Sequence, residues 1–175
     1  MKKAVFLDRD GVINEAIWRG NKATGPRELY EWLWGEGVHE AIGTLKAAGF
    51  LTFIVTNQPD VHRQIIRQEI LERFHQKIHE ELAIDDLAVC LHDDEHHCHC
   101  RKPKPGMLLD LAKKWNVSLK DSYIIGDTIR DMQAGKAAGV FRILLDKPYN
   151  QDITDIECDY RAKNLPEAVS YLINR

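Results

Sequence analysis

Asp8 and Asp10 stand two residues apart, directly after the apolar run Ala4-Val5-Phe6-Leu7. Carboxylates this close repel, and keeping both ionised asks for a cation. Asp127 supplies a third carboxylate within Gly126-Asp127-Thr128, and Asp131 a fourth, one helical turn on. Acidic oxygens in this number suit Mg2+, which takes oxygen ligands and keeps several waters. Basic and hydroxyl groups answer them. Thr56 and Asn57 follow a second apolar run, and Arg101-Lys102-Pro103-Lys104-Pro105-Gly106 carries three cations in a proline-braced segment. Beside a cation site such a segment reads as a phosphate clamp, because Arg and Lys give charge-assisted hydrogen bonds to phosphoryl oxygens. Taken singly, each feature has an ordinary structural use as a turn, a helix cap or a solvated face. Their combination argues for a site.

A second cluster lies between the two. Cys90, Cys98 and Cys100, three of the four cysteines, fall within eleven residues that also hold His92, His96, His97 and His99. A disulfide scaffold spreads its cysteines and needs an oxidising compartment; crowded Cys and His read as a metal site instead.

The elements that must carry these groups alternate between short β-rich runs and helical patterns. Residues 3–7, 51–55, 87–90, 123–125 and 142–145 read as strands. Residues 38–48, 63–82, 107–115, 131–138 and 166–173 read as helices, with Gly49 stopping the first and Pro166 opening the last. Such alternation predicts an α/β fold: a doubly wound, mostly parallel Rossmann-like sheet with helices on both faces. Sites in open parallel sheets lie at the carboxyl ends of the strands. The polar segments after the strands hold Asp8, Thr56, the Cys/His cluster and Asp127, so all four are expected on one rim.

The 175 residues are read as a single domain, 1–175, with a metal loop at 90–100. A net charge of −3 disfavours non-specific nucleic-acid binding. No apolar run reaches the ~18 residues of a membrane span, and no secretory h-region follows Met1-Lys2-Lys3. The expectation is a cytoplasmic protein without membrane or nucleic-acid partners.

Phe6-Leu7-Asp8-Arg9-Asp10-Gly11-Val12-Ile13-Asn14 resembles the first motif of the haloacid dehalogenase superfamily of phosphatases. Thr56-Asn57-Gln58 resembles the second, Lys102 the third, and Gly126-Asp127-Thr128-Ile129-Arg130-Asp131 the fourth. The resemblance implies that Asp8 attacks phosphorus, that Asp10 serves as general acid and base, and that Thr56 and Lys102 hold the phosphoryl oxygens. It implies Mg2+ held by Asp8, the backbone carbonyl of Asp10, and Asp127. An acid at position 10 separates the chain from hydrolytic dehalogenases. A response-regulator receiver also has an acid pair after its first strand. Its phosphorylated Asp follows the third strand, where this chain has the Cys/His cluster.

Cys90-x-His92 with Cys98-x-Cys100-Arg101-Lys102-Pro103 is similar to a zinc-bearing branch of that superfamily. Three thiolates and one imidazole complete a tetrahedral set with no open position, so the expected Zn2+ is structural. His96, His97 and His99 are alternatives to His92. Bulky caps are inserted after the first or second motif in this superfamily. Here 45 residues separate Asp10 from Thr56, and Gln58 to Leu87 leaves room for one long helix. The protein is therefore expected to be essentially capless, with selectivity set by the loop around Trp18, Arg19 and Lys22 and by Asn57, Arg63 and Arg101. The branch acts on small phosphorylated metabolites. A second phosphate suits the surrounding cations, including Lys104, whereas the cationic groups of histidinol phosphate do not. This favours a heptose 1,7-bisphosphate over histidinol phosphate. A nucleic-acid end-processing phosphatase and a non-catalytic binding protein are the remaining alternatives.

Overall fold

The computed structural model describes residues 1–151 and 155–175. Strand β1 (Ala4–Leu7) is buried along its whole length. It reads as an unbroken apolar run because a parallel neighbour flanks it on each side and helices cover both faces. The neighbours are β4 (Leu51–Asn57) and β6 (Tyr123–Gly126), both parallel to it. Outward from these lie β5 (Asp86–Cys90), β7 (Phe141–Leu145) and β8 (Tyr160–Ala162), giving the all-parallel order β5-β4-β1-β6-β7-β8. The chain runs from β1 toward β5, then returns across β1 to build the other half. The order therefore reverses at β1, and the crevice beyond its carboxyl end is where such sheets bind ligands.

Alternation along the strands divides the core. Val5, Leu7, Ile54 and Ile125 face helices α1 (Val38–Ala47), α3 (Gln68–Glu81) and α6 (Leu165–Ile173). Ala4, Phe6, Phe53 and Ile124 face α4 (Gly106–Trp115) and α5 (Ile129–Ala138). Gly49, at φ +82°, takes the left-handed conformation just past α1, and Asn164 caps α6 by accepting from the Glu167 N–H.

Three features depart from the sequence reading. The helix read over 63–82 starts late: a single-turn α2 (Pro59–His62) precedes it, Gln64 has φ +58°, and α3 starts only at Gln68. The interval from Glu15 to Arg27 contains an antiparallel hairpin, β2 (Ile17–Arg19) and β3 (Lys22–Thr24), turned by Gly20-Asn21 with Gly20 at φ +63°. Edge strand β8 spans three residues and leaves no periodic trace. The hairpin is the only sheet inserted between β1 and α1 among the described residues, so the rim above β1 stays open.

Candidate active site

Asp8 follows β1 immediately, and its N–H donates to the Ile125 carbonyl of β6 (3.0 Å). Its Oδ1 accepts from the Arg9 N–H (2.7 Å) and lies 2.9 Å from Lys102 Nζ. Lys102 is buried, and its ammonium spends its donors locally. It also donates to the Val55 carbonyl (2.8 Å) and to Asp131 Oδ1 (2.5 Å). Burial opposes its charge, but Asp131 and Asp8 outweigh that and raise its pKa. Burial, then repulsion from Asp131, raises the Asp8 carboxyl well above its usual range; Lys102 only partly offsets this.

Asp127 follows β6 directly and is buried. Burial and the nearby Asp131 push its carboxyl up to about 7. Oxygens of Asp8, Asp127 and Asp131 all lie within 4.8 Å of one another. Asp131 is committed elsewhere: Oδ1 accepts from Lys102, and Oδ2 from the Thr128 N–H (3.1 Å) and hydroxyl (2.6 Å), capping α5. Asp127 Oδ1, by contrast, is buried without a hydrogen-bond partner among the described residues. An orphaned carboxylate oxygen beside a second raised carboxyl fits a hard divalent cation, which takes oxygen ligands and removes the repulsion.

Asp10 turns its carboxylate away from this cluster. Arg9 grips it from Nε (3.1 Å) and Nη2 (2.8 Å), Asn14 donates at 3.0 Å, and Gln58 donates to Oδ2 at 2.7 Å. Arg9 is fully buried, its guanidinium against the rings of Trp32 (5.9 Å) and Phe74 (5.6 Å). Gln58 also donates to the Thr56 hydroxyl oxygen (2.9 Å). Gly25 sits so close that a Cβ there would lie 2.6 Å from Asp10 Oδ2. Asp8, Asp10, Thr56, Lys102, Arg101, Arg130 and the hairpin residues Ala23 and Thr24 line one cavity of about 260 Å3.

Of the residues expected to touch substrate, Asn57 lines the cavity with its amide already bonded, and Arg63 is engaged elsewhere. The Asn57 amide is used on both sides by the Lys102 backbone: its Nδ2 donates to the carbonyl (2.9 Å) and its Oδ1 accepts the N–H (3.1 Å). It is a brace for the clamp. Arg63 lies outside the cavity, tied in a two-pronged pair to Asp93 (2.6 and 2.7 Å), because the break after α2 turns it toward the 90–100 loop. Arg19 is paired to Glu31 (2.6 Å), and Lys104 donates to the His97 and Cys98 carbonyls. Besides Lys102, the basic groups that line the cavity are Arg101 and Arg130, which share Asp94.

Beyond β5 the four donor atoms of Cys90, His92, Cys98 and Cys100 converge. Sulfur–sulfur distances are 3.3, 3.5 and 3.7 Å, and His92 Nδ1 lies 3.4 Å from Cys100 and 3.6 Å from Cys90. A tetrahedral site with metal–sulfur bonds near 2.3 Å needs edges of about 3.8 Å, so the set fits Zn2+. His96 bonds the Asp93 N–H and His99 pairs with Asp110, so neither competes with His92. Burial pushes the Cys90 thiol up to about 12, so its thiolate needs a bound cation. The loop is laced to the clamp, since Arg101 Nη1 donates to the His92 carbonyl (3.1 Å).

Arg9, Gln58, Arg130 and Tyr149, which bonds Asp127, were not marked as site residues by the sequence. Arg9 and Gln58 stand inside the motifs, but only the fold shows them bearing on Asp10.

Residues 31–139 match the model of haloacid dehalogenase-like hydrolases, a span that takes in Thr56, Lys102 and Asp127. The chain belongs to that family and is a phosphatase within it. Among its relatives, the D-glycero-β-D-manno-heptose-1,7-bisphosphate 7-phosphatase of Rhodopseudomonas palustris is 40% identical over 79% of this chain and 81% of its own. The enzyme of the same name from Helicobacter pylori strain J99 is 34% identical over 97% of each. The crystal structure of D,D-heptose 1,7-bisphosphate phosphatase from B. bronchiseptica, complexed with magnesium and phosphate, superposes with a TM-score of 0.85. It is 27% identical and covers 98% of both chains.

Proposed function

We propose that the chain hydrolyses a small phosphosugar, a heptose 1,7-bisphosphate, through an aspartyl-phosphate on Asp8, with Mg2+ as the catalytic cation and Zn2+ as a structural one. The observation that carries this is the single cavity at the switch point of the sheet, which gathers Asp8, Lys102, Thr56 and a second acid, Asp10. Relatives at 34–40% identity, named for heptose-1,7-bisphosphate 7-phosphatase activity, support the substrate class.

In the first displacement an Asp8 oxygen bonds to phosphorus as the bond from phosphorus to the sugar oxygen breaks. Asp10 gives its proton to that leaving oxygen. A water then attacks the phosphoryl group, its proton passes to Asp10, and the bond to Asp8 breaks, releasing phosphate and restoring both acids. Lys102 and the Thr56 hydroxyl donate to the non-bridging oxygens as charge builds on them. Asp8, Asp127 and the Asp10 carbonyl would hold Mg2+, which would neutralise phosphoryl charge there. Arg9, Asn14 and Gln58 fix Asp10 on the cavity wall, and Gly25 leaves it room.

The clamp treats phosphomonoesters alike, so discrimination falls to the rest of the wall. Arg101 is nearly buried there and bonds to Asp94 (2.8 Å). A second substrate phosphate can draw on Arg101 and Arg130. The test is kcat/KM over heptose 1,7-bisphosphate, histidinol phosphate and a 3′-phosphorylated DNA end. The heptose bisphosphate is expected to lead. Arg101→Ala should lower its kcat/KM by about 10–100-fold, the worth of one or two hydrogen bonds to a charged group. Histidinol phosphate turned over at least as efficiently would overturn the substrate assignment.

A further inference from the structure

Asp127 is gripped from outside the four sequence motifs, by the segment that follows β7. Asn150 is buried, and its amide donates to the carbonyls of Asp127 and Leu145 (2.8 Å each), while its Oδ1 accepts from the Lys147 N–H (2.9 Å). That lock places Tyr149, whose hydroxyl donates to Asp127 Oδ2. The contact depends on Gly11. A Cβ there would fall 2.5 Å from the Tyr149 hydroxyl and 2.0 Å from Asp127 Oδ2, and its φ of +84° independently favours glycine. The two Asp127 oxygens thus have different environments: Oδ2 takes the phenol, and Oδ1 is buried without a partner among the described residues. The Tyr149 ring in turn meets Trp18 of the β2–β3 hairpin edge-on, with centroids 5.8 Å apart. Residues Ala23 and Thr24 of the same hairpin line the cavity.

We propose that Tyr149 is a positioning residue for the metal-facing carboxylate: by holding Oδ2 it presents Oδ1 of Asp127 to the cation, and Trp18 couples the substrate-side hairpin to that grip. The inference rests on Asp127 holding Mg2+. A carboxylate that is free to rotate must be ordered by the ion itself. One whose outer oxygen is already bonded has met that cost on folding, and losing such a supporting bond typically weakens metal affinity 10–100-fold. Trp18 is half exposed. Its contact gives a route by which hairpin position alters cation affinity without touching the ion.

The experiment is calorimetric titration of the full-length protein with Mg2+ alone, for the parent, Tyr149→Phe, Trp18→Ala and Asp127→Asn. Tyr149→Phe keeps the ring and removes only the donor. Its dissociation constant for Mg2+ is expected to rise about 10–100-fold, with its melting temperature in chelator close to the parent's. Trp18→Ala, at a half-exposed position, should shift the constant in the same direction by less. In assays, the Mg2+ concentration for half-activation should rise far more than kcat at saturating Mg2+ falls, a split that general loosening of the fold would not produce. An unchanged or tighter constant in Tyr149→Phe, with binding lost in Asp127→Asn, overturns the inference and leaves the phosphatase reading standing. Parent-like binding in Asp127→Asn removes the metal assignment itself, and the inference with it.

Discussion

Asp8→Asn protein is expected to fold and to release no phosphate from any substrate. The amide matches the carboxylate in size, and its oxygen can still accept from the Arg9 N–H, which bonds Asp8 at 2.7 Å. The change also removes a charge that burial and Asp131 penalise, so stability should hold or improve without metal. An amide cannot form the acyl-phosphate, so chemistry stops. Asp10→Asn should behave differently. The bonds from Arg9, Asn14 and Gln58 show how firmly the side chain is held, but the amide neither gives nor takes the proton. A loss of about 10²–10⁴-fold in kcat is the usual worth of general acid–base catalysis. Steady-state phosphate release with circular dichroism checks both. Near-parent turnover by folded Asp8→Asn protein would remove Asp8 from the reaction.

The second large effect separates the two metals. Brief treatment with a weak chelator and no added Mg2+ should stop activity, and Mg2+ should restore it, since carboxylate and water ligands exchange readily. Zinc at the proposed Cys/His site should stay bound through that step, because three thiolates would hold it. Cys98→Ser then leaves a set whose other donors still crowd within 3.3–3.6 Å, now without the charge that completes the site. The expected cost is about 2–4 kcal/mol, at the upper end for one substitution. For a chain of this size that lowers Tm by about 5–15 °C. Activity should fall with it, because Arg101 and Lys102 follow Cys100 directly and Arg101 is bonded to the His92 carbonyl. Elemental analysis and a melting curve read the result. Zinc-free protein with full activity and parent stability would refute a structural zinc.

Much of this was legible in the sequence for identifiable reasons. A buried parallel strand is a pure apolar run, so Ala4–Leu7 announced itself, and Asp8 followed as the first polar side chain at its end. Cys90, His92, Cys98 and Cys100 are close in sequence, so their convergence needed little from the fold. The residues that were missed act across distance. Arg9 looks like one more polar residue in a turn; its burial against Trp32 and Phe74 depends on where α3 docks. Tyr149 reaches Asp127 from 22 residues away in the chain. Asn57 and Arg63 read as substrate contacts from their places after the second strand; the fold keeps Asn57 on the cavity wall, bonded to the Lys102 backbone, and turns Arg63 onto Asp93. The hairpin left one readable signal, the two-residue Gly20-Asn21 turn between runs that can pair.

The central claim is that Asp8 carries the phosphoryl group during turnover of a sugar bisphosphate. It is tested most directly by acid-quenching the enzyme within milliseconds of mixing with Mg2+ and ³²P-labelled heptose 1,7-bisphosphate, then mapping the label by peptide. Acid-stable label is expected on the peptide bearing Asp8 and not in Asp8→Asn. Turnover with label on another residue, or equal label in the Asp8→Asn protein, would contradict it.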